Sequence, residues 1–183
     1  IDGVGKSTHT SLLSKTLKKL GHKVIICREP GSTPIGEYSR ILLTEEKLHQ
    51  TTQLFLFMAA RAELVHSIII PELKEGKIII CDRFSPSTYV YQGRYFKESL
   101  IELLDLLSKG EQFKSLTPDL TILLEGSNIK ANEFTDDDNQ LISRYIEHYN
   151  SSLKRGENWV KIDAAQSINK VSKICLDSVL KIL

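Results

Sequence analysis

Four short apolar runs punctuate the chain: Val24-Ile25-Ile26-Cys27, Ile78-Ile79-Ile80-Cys81, Leu120-Thr121-Ile122-Leu123-Leu124 and, more weakly, Val160-Lys161-Ile162-Asp163. Each is largely continuous rather than alternating, the pattern of a strand covered on both faces. Between and around them, apolar residues recur at helical spacing and predict helices over 11–20, 53–73, 98–109, 139–153 and 167–183. The last carries Ile168, Val171, Ile174 and Ile182 on one side, with Ser167 as its N-cap. Strands alternating with helices require crossover connections, and hence a parallel sheet in an α/β fold. Ligands of such sheets bind beyond the carboxyl ends of the strands, so the informative residues should follow the strands.

The first eight residues, Ile1-Asp2-Gly3-Val4-Gly5-Lys6-Ser7-Thr8, read as most of a phosphate loop of the form G-x-x-x-x-G-K-S/T. Such a loop turns successive backbone N–H groups into one concavity, and Gly3 and Gly5 supply the backbone freedom this needs. Lys6 is placed to reach β- and γ-phosphates and Ser7 to ligand Mg²⁺. The helix that follows adds its N-terminal dipole. The apolar strand that should lead into the loop is expected upstream of Ile1. With it, the four runs make a five-stranded parallel sheet in a P-loop NTPase-like three-layer sandwich.

Three further segments carry candidate chemistry. Residues 28–37, Arg-Glu-Pro-Gly-Ser-Thr-Pro-Ile-Gly-Glu, hold two prolines and two glycines and read as a loop, with Arg28 at a strand end suited to a second phosphate. Phe57 and Arg61 are four apart and share one helical face. A flat ring beside a guanidinium offers a nucleobase a stacking surface and a donor. Asp82, closing the second strand, stands where Mg²⁺ is held in phosphate-loop enzymes, and Arg83 follows it. Ser87, Thr88, Tyr91 and Gln92 supply hydroxyl and amide groups for a base edge and a sugar.

Composition narrows the classes. The length suits one domain, 1–183. Charge is nearly balanced, with 24 Lys and Arg against 23 Asp and Glu, and no basic run marks a nucleic-acid surface. No stretch reads as long enough and free enough of charge to span a bilayer, so no membrane partner is expected. No signal peptide is visible. Cys27, Cys81 and Cys175 lack metal-ligand spacing and are expected to be buried thiols, fitting a reducing cytoplasm.

The motifs IDGVGKST, REPGSTPIGE, LFLFMAAR, IIPELKEGKIIICDRF, STYVYQG, PDLTILLE and IDAAQSI, in this order, make the chain similar to the thymidylate kinase family. The resemblance covers most of the chain and implies transfer of a phosphoryl group from ATP, with Mg²⁺, to dTMP by a homodimer. It implies that Asp2 holds the sugar hydroxyl and orders the metal site, and that Arg28 and Arg83 bind the acceptor phosphate. Phe57 would stack on thymine, Arg61 bond its carbonyl edge, Thr88 read the base, and Tyr91 favour the deoxy sugar with Gln92 beside it. Asp163 and Ala164 would line the adenine pocket.

One departure stands out. The lid, around 126–138, is short and passes to Asp136-Asp137-Asp138, read as a solvated helix start. Lys130 is its only base before Arg144, and Val4 stands where some members carry an arginine. A missing arginine implies a slow enzyme or recruitment of Lys130 or Arg144. Two other readings follow: a kinase for another nucleotide or a deoxynucleoside, and a catalytically weak nucleotide-binding homologue acting through partners.

Overall fold

The computed structural model of the chain describes residues 3–110, 116–126 and 136–183. By its contacts the chain forms two compact units, one of residues 1–21 with 117–183 and one of residues 22–116.

In the first unit, α1 (Lys6–Lys19) packs on α8 (Ile168–Leu180). Strands β3 (Thr121–Glu125) and β4 (Trp159–Asp163) pair in parallel, Thr121 opposite Trp159 and Glu125 opposite Asp163. Ile162, Val171 and Cys175 form the buried centre where α8 covers the pair, with Ile122, Leu124 and Val160 against them. Ser167 caps α8 by accepting from Lys170 N–H, as its position predicts. α7 (Asp136–Lys154) opens with the three aspartates in its first turn, where they complement the helix dipole.

In the second unit, β1 (Val24–Arg28) and β2 (Ile78–Asp82) pair in parallel with Val24 opposite Ile78 and Arg28 opposite Asp82. Between them run α2 (Pro34–Glu45), α3 (Gln50–Leu64), a π-helical turn (Val65–Ile69) and α4 (Ile70–Lys74). After β2 come α5 (Ser85–Gln92) and α6 (Glu98–Lys109). The core joins Cys27 to Leu64, Val65, Ile69 and Ile70, with Ile79, Cys81 and Phe84 packed alongside.

The strands lie where the apolar runs place them, but as two separate parallel pairs among the described residues. Their burial is less complete than continuous apolar runs imply. Cys27, Ile79 and Cys81 face the α3–α4 run, whereas Ile26, on the opposite face of β1, is 46% exposed. Cys27 and Cys175 are buried thiols as expected, while Cys81 is only partly buried. The neighbouring Cys27 thiol and then burial push the Cys81 thiol well up, so Cys81 is no ready nucleophile.

Three helices differ from the sequence pattern, one of them α5, which apolar periodicity does not predict and which opens with Pro86 in its first turn. The prolines and glycines of 28–37 mask the start of α2, where Pro34 takes the first helical position and Thr33 caps by accepting from Gly36 N–H. The expected 53–73 helix begins earlier and widens into a π turn upstream of Pro71, whose ring clashes with the carbonyl four residues back. This continuous run, Gln50–Lys74, is 25 residues long and apolar enough to cross a membrane by length and composition, which corrects the expectation that no stretch is. Its side chains are instead the centre of the second unit's core, and it carries Arg61 inward.

Candidate functional site

The phosphate loop ends in Gly5, whose φ of 84° lies in the left-handed region that side chains avoid. A Cβ there would also lie 3.3 Å from the His9 ring. This turn starts α1 without a side-chain cap and without an acidic residue in its first turn. A helix start of that kind presents backbone N–H groups and a positive dipole end to an anion. Gly3 and the Ser7 and Thr8 side chains are exposed, Lys6 is half-buried and Val4 is buried. His9, buried behind the loop, meets Ser172 of α8 through Nδ1 at 2.9 Å, and burial pushes its pKa down. The loop is thereby braced on the helix that covers β3 and β4.

At the carboxyl end of β4, Asp163 Oδ1 accepts from Ala165 N–H at 2.9 Å, and Ala164 N–H donates to the Glu125 carbonyl at 2.8 Å. Arg144 is half-buried on α7. Asp2 and Lys130 lie outside the described residues, as does most of the segment expected to be the lid.

In the second unit, Arg28 and Asp82 are register partners at the carboxyl ends of β1 and β2, and Glu29 N–H donates to the Asp82 carbonyl at 3.0 Å. Arg28 projects outward and pairs with Glu37 at 2.7 Å. The Ser32 N–H and then Arg28 hold the Glu37 carboxyl below its usual range. Gly36 permits this turn to close, because a Cβ there would sit 2.5 Å from the Gly31 carbonyl oxygen. Gly36→Ala is therefore expected to cost about 1–3 kcal/mol. Urea unfolding of the variant checks this, and a loss within a few tenths of wild type would refute the close approach.

Arg83, beyond Asp82, has a φ of 70°, and its guanidinium lies 5.4 Å from the Tyr91 ring centre with Nη1 3.4 Å from Tyr91 Oη. Such left-handed backbone in a residue with a long side chain is uncommon and concentrates at functional positions. Thr88 and Gln92 stand four apart on α5 and are both buried, with Ser87 and Tyr91 half-buried beside them. Among the described residues, Gln92 Oε1 is buried with no hydrogen-bond partner.

Phe57 is half-buried on α3, but Arg61 is wholly enclosed. Its Nε donates to Glu29 at 3.0 Å and its Nη2 to the other Glu29 oxygen. Nη1 donates to Asp105 Oδ1 and Nη2 to Thr88 Oγ1, both at 2.7 Å. Burial pushes Glu29 up and Arg61 pulls it back, while the two carboxylates hold the Arg61 charge in place. The sequence pattern identifies Arg61 and Thr88 but not Glu29 or Asp105. Glu29 lies in a proline-rich turn, and Asp105 lies inside the helix expected over 98–109.

A helix start reached through a left-handed glycine, with no acidic residue in its first turn and with Lys6 and Ser7 as its first residues, is built to receive phosphate; this places the chain among the phosphate-loop α/β proteins. Comparison with known proteins is more specific. The family model described as Thymidylate kinase matches residues 1–174, and the chain belongs to that family. The thymidylate kinase of Caldanaerobacter subterraneus subsp. tengcongensis is 34% identical over 191 residues, covering 98% of this chain and 91% of that one. That of Geobacter sulfurreducens is 42% identical over 130 residues, covering 68% of this chain but 59% of the relative. For Neorickettsia sennetsu the identity is also 42% over 130 residues, with 71% and 64% covered. The chain thus spans less than two thirds of the length of these last two relatives. The crystal structure of thymidylate kinase from Ehrlichia chaffeensis superposes with a TM-score of 0.79 at 30% identity, covering 98% of this chain and 94% of that one.

Proposed function

We propose that this protein transfers the γ-phosphoryl group of ATP to dTMP, giving the diphosphate. The observation that carries the reading is the family match over residues 1–174, which includes the phosphate loop and every candidate acceptor residue. In this reading Gly3, Val4, Gly5, Lys6, Ser7 and Thr8 hold the donor phosphates, Asp163, Ala164 and Arg144 serve the nucleotide end of the donor, and Arg28 and Arg83 bind the acceptor phosphate. Phosphoryl transfer through a loose transition state needs positioning and positive charge rather than covalent help, and an anionic acceptor needs no general base. Asp2 holds the sugar and Phe57 stacks on the base.

The chemistry of α5 supports a pyrimidine imide as the acceptor base. Thr88 Oγ1 already accepts from Arg61, which leaves its O–H to donate to a ring carbonyl. Gln92 Oε1, buried without a partner among the described residues, suits an imide N–H. Arg61 is wholly enclosed, so instead of bonding the base carbonyl directly it acts on the base through the Thr88 hydroxyl to which it donates. Ser87 and Tyr91 border the sugar.

For Mg²⁺, the Ser7 hydroxyl and Asp82 carboxylate are hard oxygen donors of the kind the ion takes, and it binds through few protein ligands plus phosphates and water. No cluster of three or more His, Cys, Asp or Glu able to hold a metal occurs among the described residues, which such a site does not require. When bound, Mg²⁺ would neutralise phosphate charge. The finer reading of the fold belongs to the same proposal: one five-stranded parallel sheet in a single kinase domain with a short lid. Parallel pairing in both strand pairs supports it. A homodimer is supported by apolar side chains left exposed on the second unit's helices, Phe55 at 58% with Tyr38, Leu103 and Leu107. Three free thiols support a cytoplasmic setting.

Coupled turnover with ATP and a panel of nucleoside monophosphates tests the reading. The expected result is preference for dTMP, with dUMP disfavoured by only about 1–3 kcal/mol because one methyl separates them. Tight dTMP binding without turnover would instead establish a non-catalytic homologue, and another preferred acceptor a different kinase.

A further inference from the structure

Among the described residues of the second unit, buried charge gathers on α6. Asp105 is buried there, and three donors converge on its carboxylate. Oδ1 accepts from Arg61 Nη1 and from Ser85 Oγ, each at 2.7 Å, and Oδ2 accepts from Lys109 Nζ at 2.6 Å. Lys109 is itself buried, and the Phe84 ring centre lies 5.3 Å both from its ammonium and from the Arg61 guanidinium carbon. Glu29, Arg61, Asp105 and Lys109 thus form a chain of alternating charges enclosed in one core.

We infer that Asp105 is a positioning residue for recognition of the acceptor base, an inference that rests on the dTMP kinase reading above. Asp105 grips α3 through Arg61 and the first residue of α5 through Ser85. The guanidinium it fixes is the one that donates to Thr88 and so turns the Thr88 hydroxyl into a donor. Without the Asp105 carboxylate, Arg61 is free to swing towards Glu29 alone, and α5 loses the tie at its start. The donor of Thr88 and the acceptor of Gln92 would then no longer present a fixed pair to an imide. Cytosine reverses that pattern at N3 and the exocyclic position, so discrimination against it depends on the pair being held in place.

The test uses the full-length protein with three variants: Asp105→Ala, Asp105→Asn, which keeps an acceptor at the same place, and the charge-balanced Asp105→Asn with Lys109→Met. Steady-state kinetics with dTMP and dCMP, and separately with varied ATP, supply the readout. Asp105→Ala is expected to lower kcat/KM for dTMP by about ten- to a hundredfold, through KM, and to narrow the dTMP-to-dCMP ratio. KM for ATP should stay within about twofold, and both Asn variants should recover part of the loss. An unchanged dTMP-to-dCMP ratio in soluble Asp105→Ala or in either Asn variant overturns the inference. If none of the three folds, it is overturned as well, because Asp105 is then a folding determinant. Failure of the underlying reading looks different: the wild type itself would show no preference for dTMP.

Discussion

Replacing Arg61 by methionine is expected to destabilise the fold by about 3–5 kcal/mol, because Glu29 and Asp105 then face each other in the core without their shared cation. Thermal unfolding should show a fall in Tm of roughly 10 °C or more. Methionine occupies much of the volume and leaves only the charge balance to explain the effect. Pairing Arg61→Met with Glu29→Gln should recover a large part of the loss, since Asp105 and Lys109 remain as a balanced pair. The loss should also depend on pH. Burial already pushes Glu29 above its ordinary value of 4.5, and Arg61 is the main force pulling it back. In the variant the folded state therefore holds the Glu29 proton to higher pH than the unfolded chain does. Stability of Arg61→Met falls as pH rises from near 4.5 through the raised folded value, and the deficit is smallest in acid. A deficit below about 1 kcal/mol, or one flat across this window, would show that the pair is screened as a surface bridge is.

Lys6→Met should affect turnover instead of stability. Lys6 is half-buried at the start of α1 and is not among the described core residues Ile162, Val171 and Cys175 of its unit. Losing one preorganised cation at a transferring phosphoryl group is expected to lower kcat on the order of 10³-fold. Binding of dTMP, assigned to residues other than Lys6, should change by no more than about threefold in isothermal titration. Near-normal turnover of a correctly folded Lys6→Met protein would remove the loop from the reaction and with it the kinase reading.

Both predictions show how differently the two halves of the site were legible. The phosphate loop is local: its backbone shape depends on glycine at a left-handed position and on a helix beginning at once, and both are written in consecutive residues. The Arg28, Asp82 and Arg83 positions were legible for a related reason, since each ends or follows an apolar run and the register places Arg28 opposite Asp82. α2 was hidden because Pro34 and Gly36 read as loop residues when taken singly. In place, proline opens the helix and glycine admits the Gly31 backbone.

By itself the sequence determined the four strands, most of the helices, the phosphate loop and the family, because periodicity and short motifs act through neighbours along the chain. Only the tertiary structure decided what Arg61 does. Its partners Glu29, Asp105 and Thr88 lie 32, 44 and 27 residues away, and nothing local ties any of them to Arg61. A buried charge must be matched by whatever the fold brings to it, and that choice is made by packing rather than by spacing.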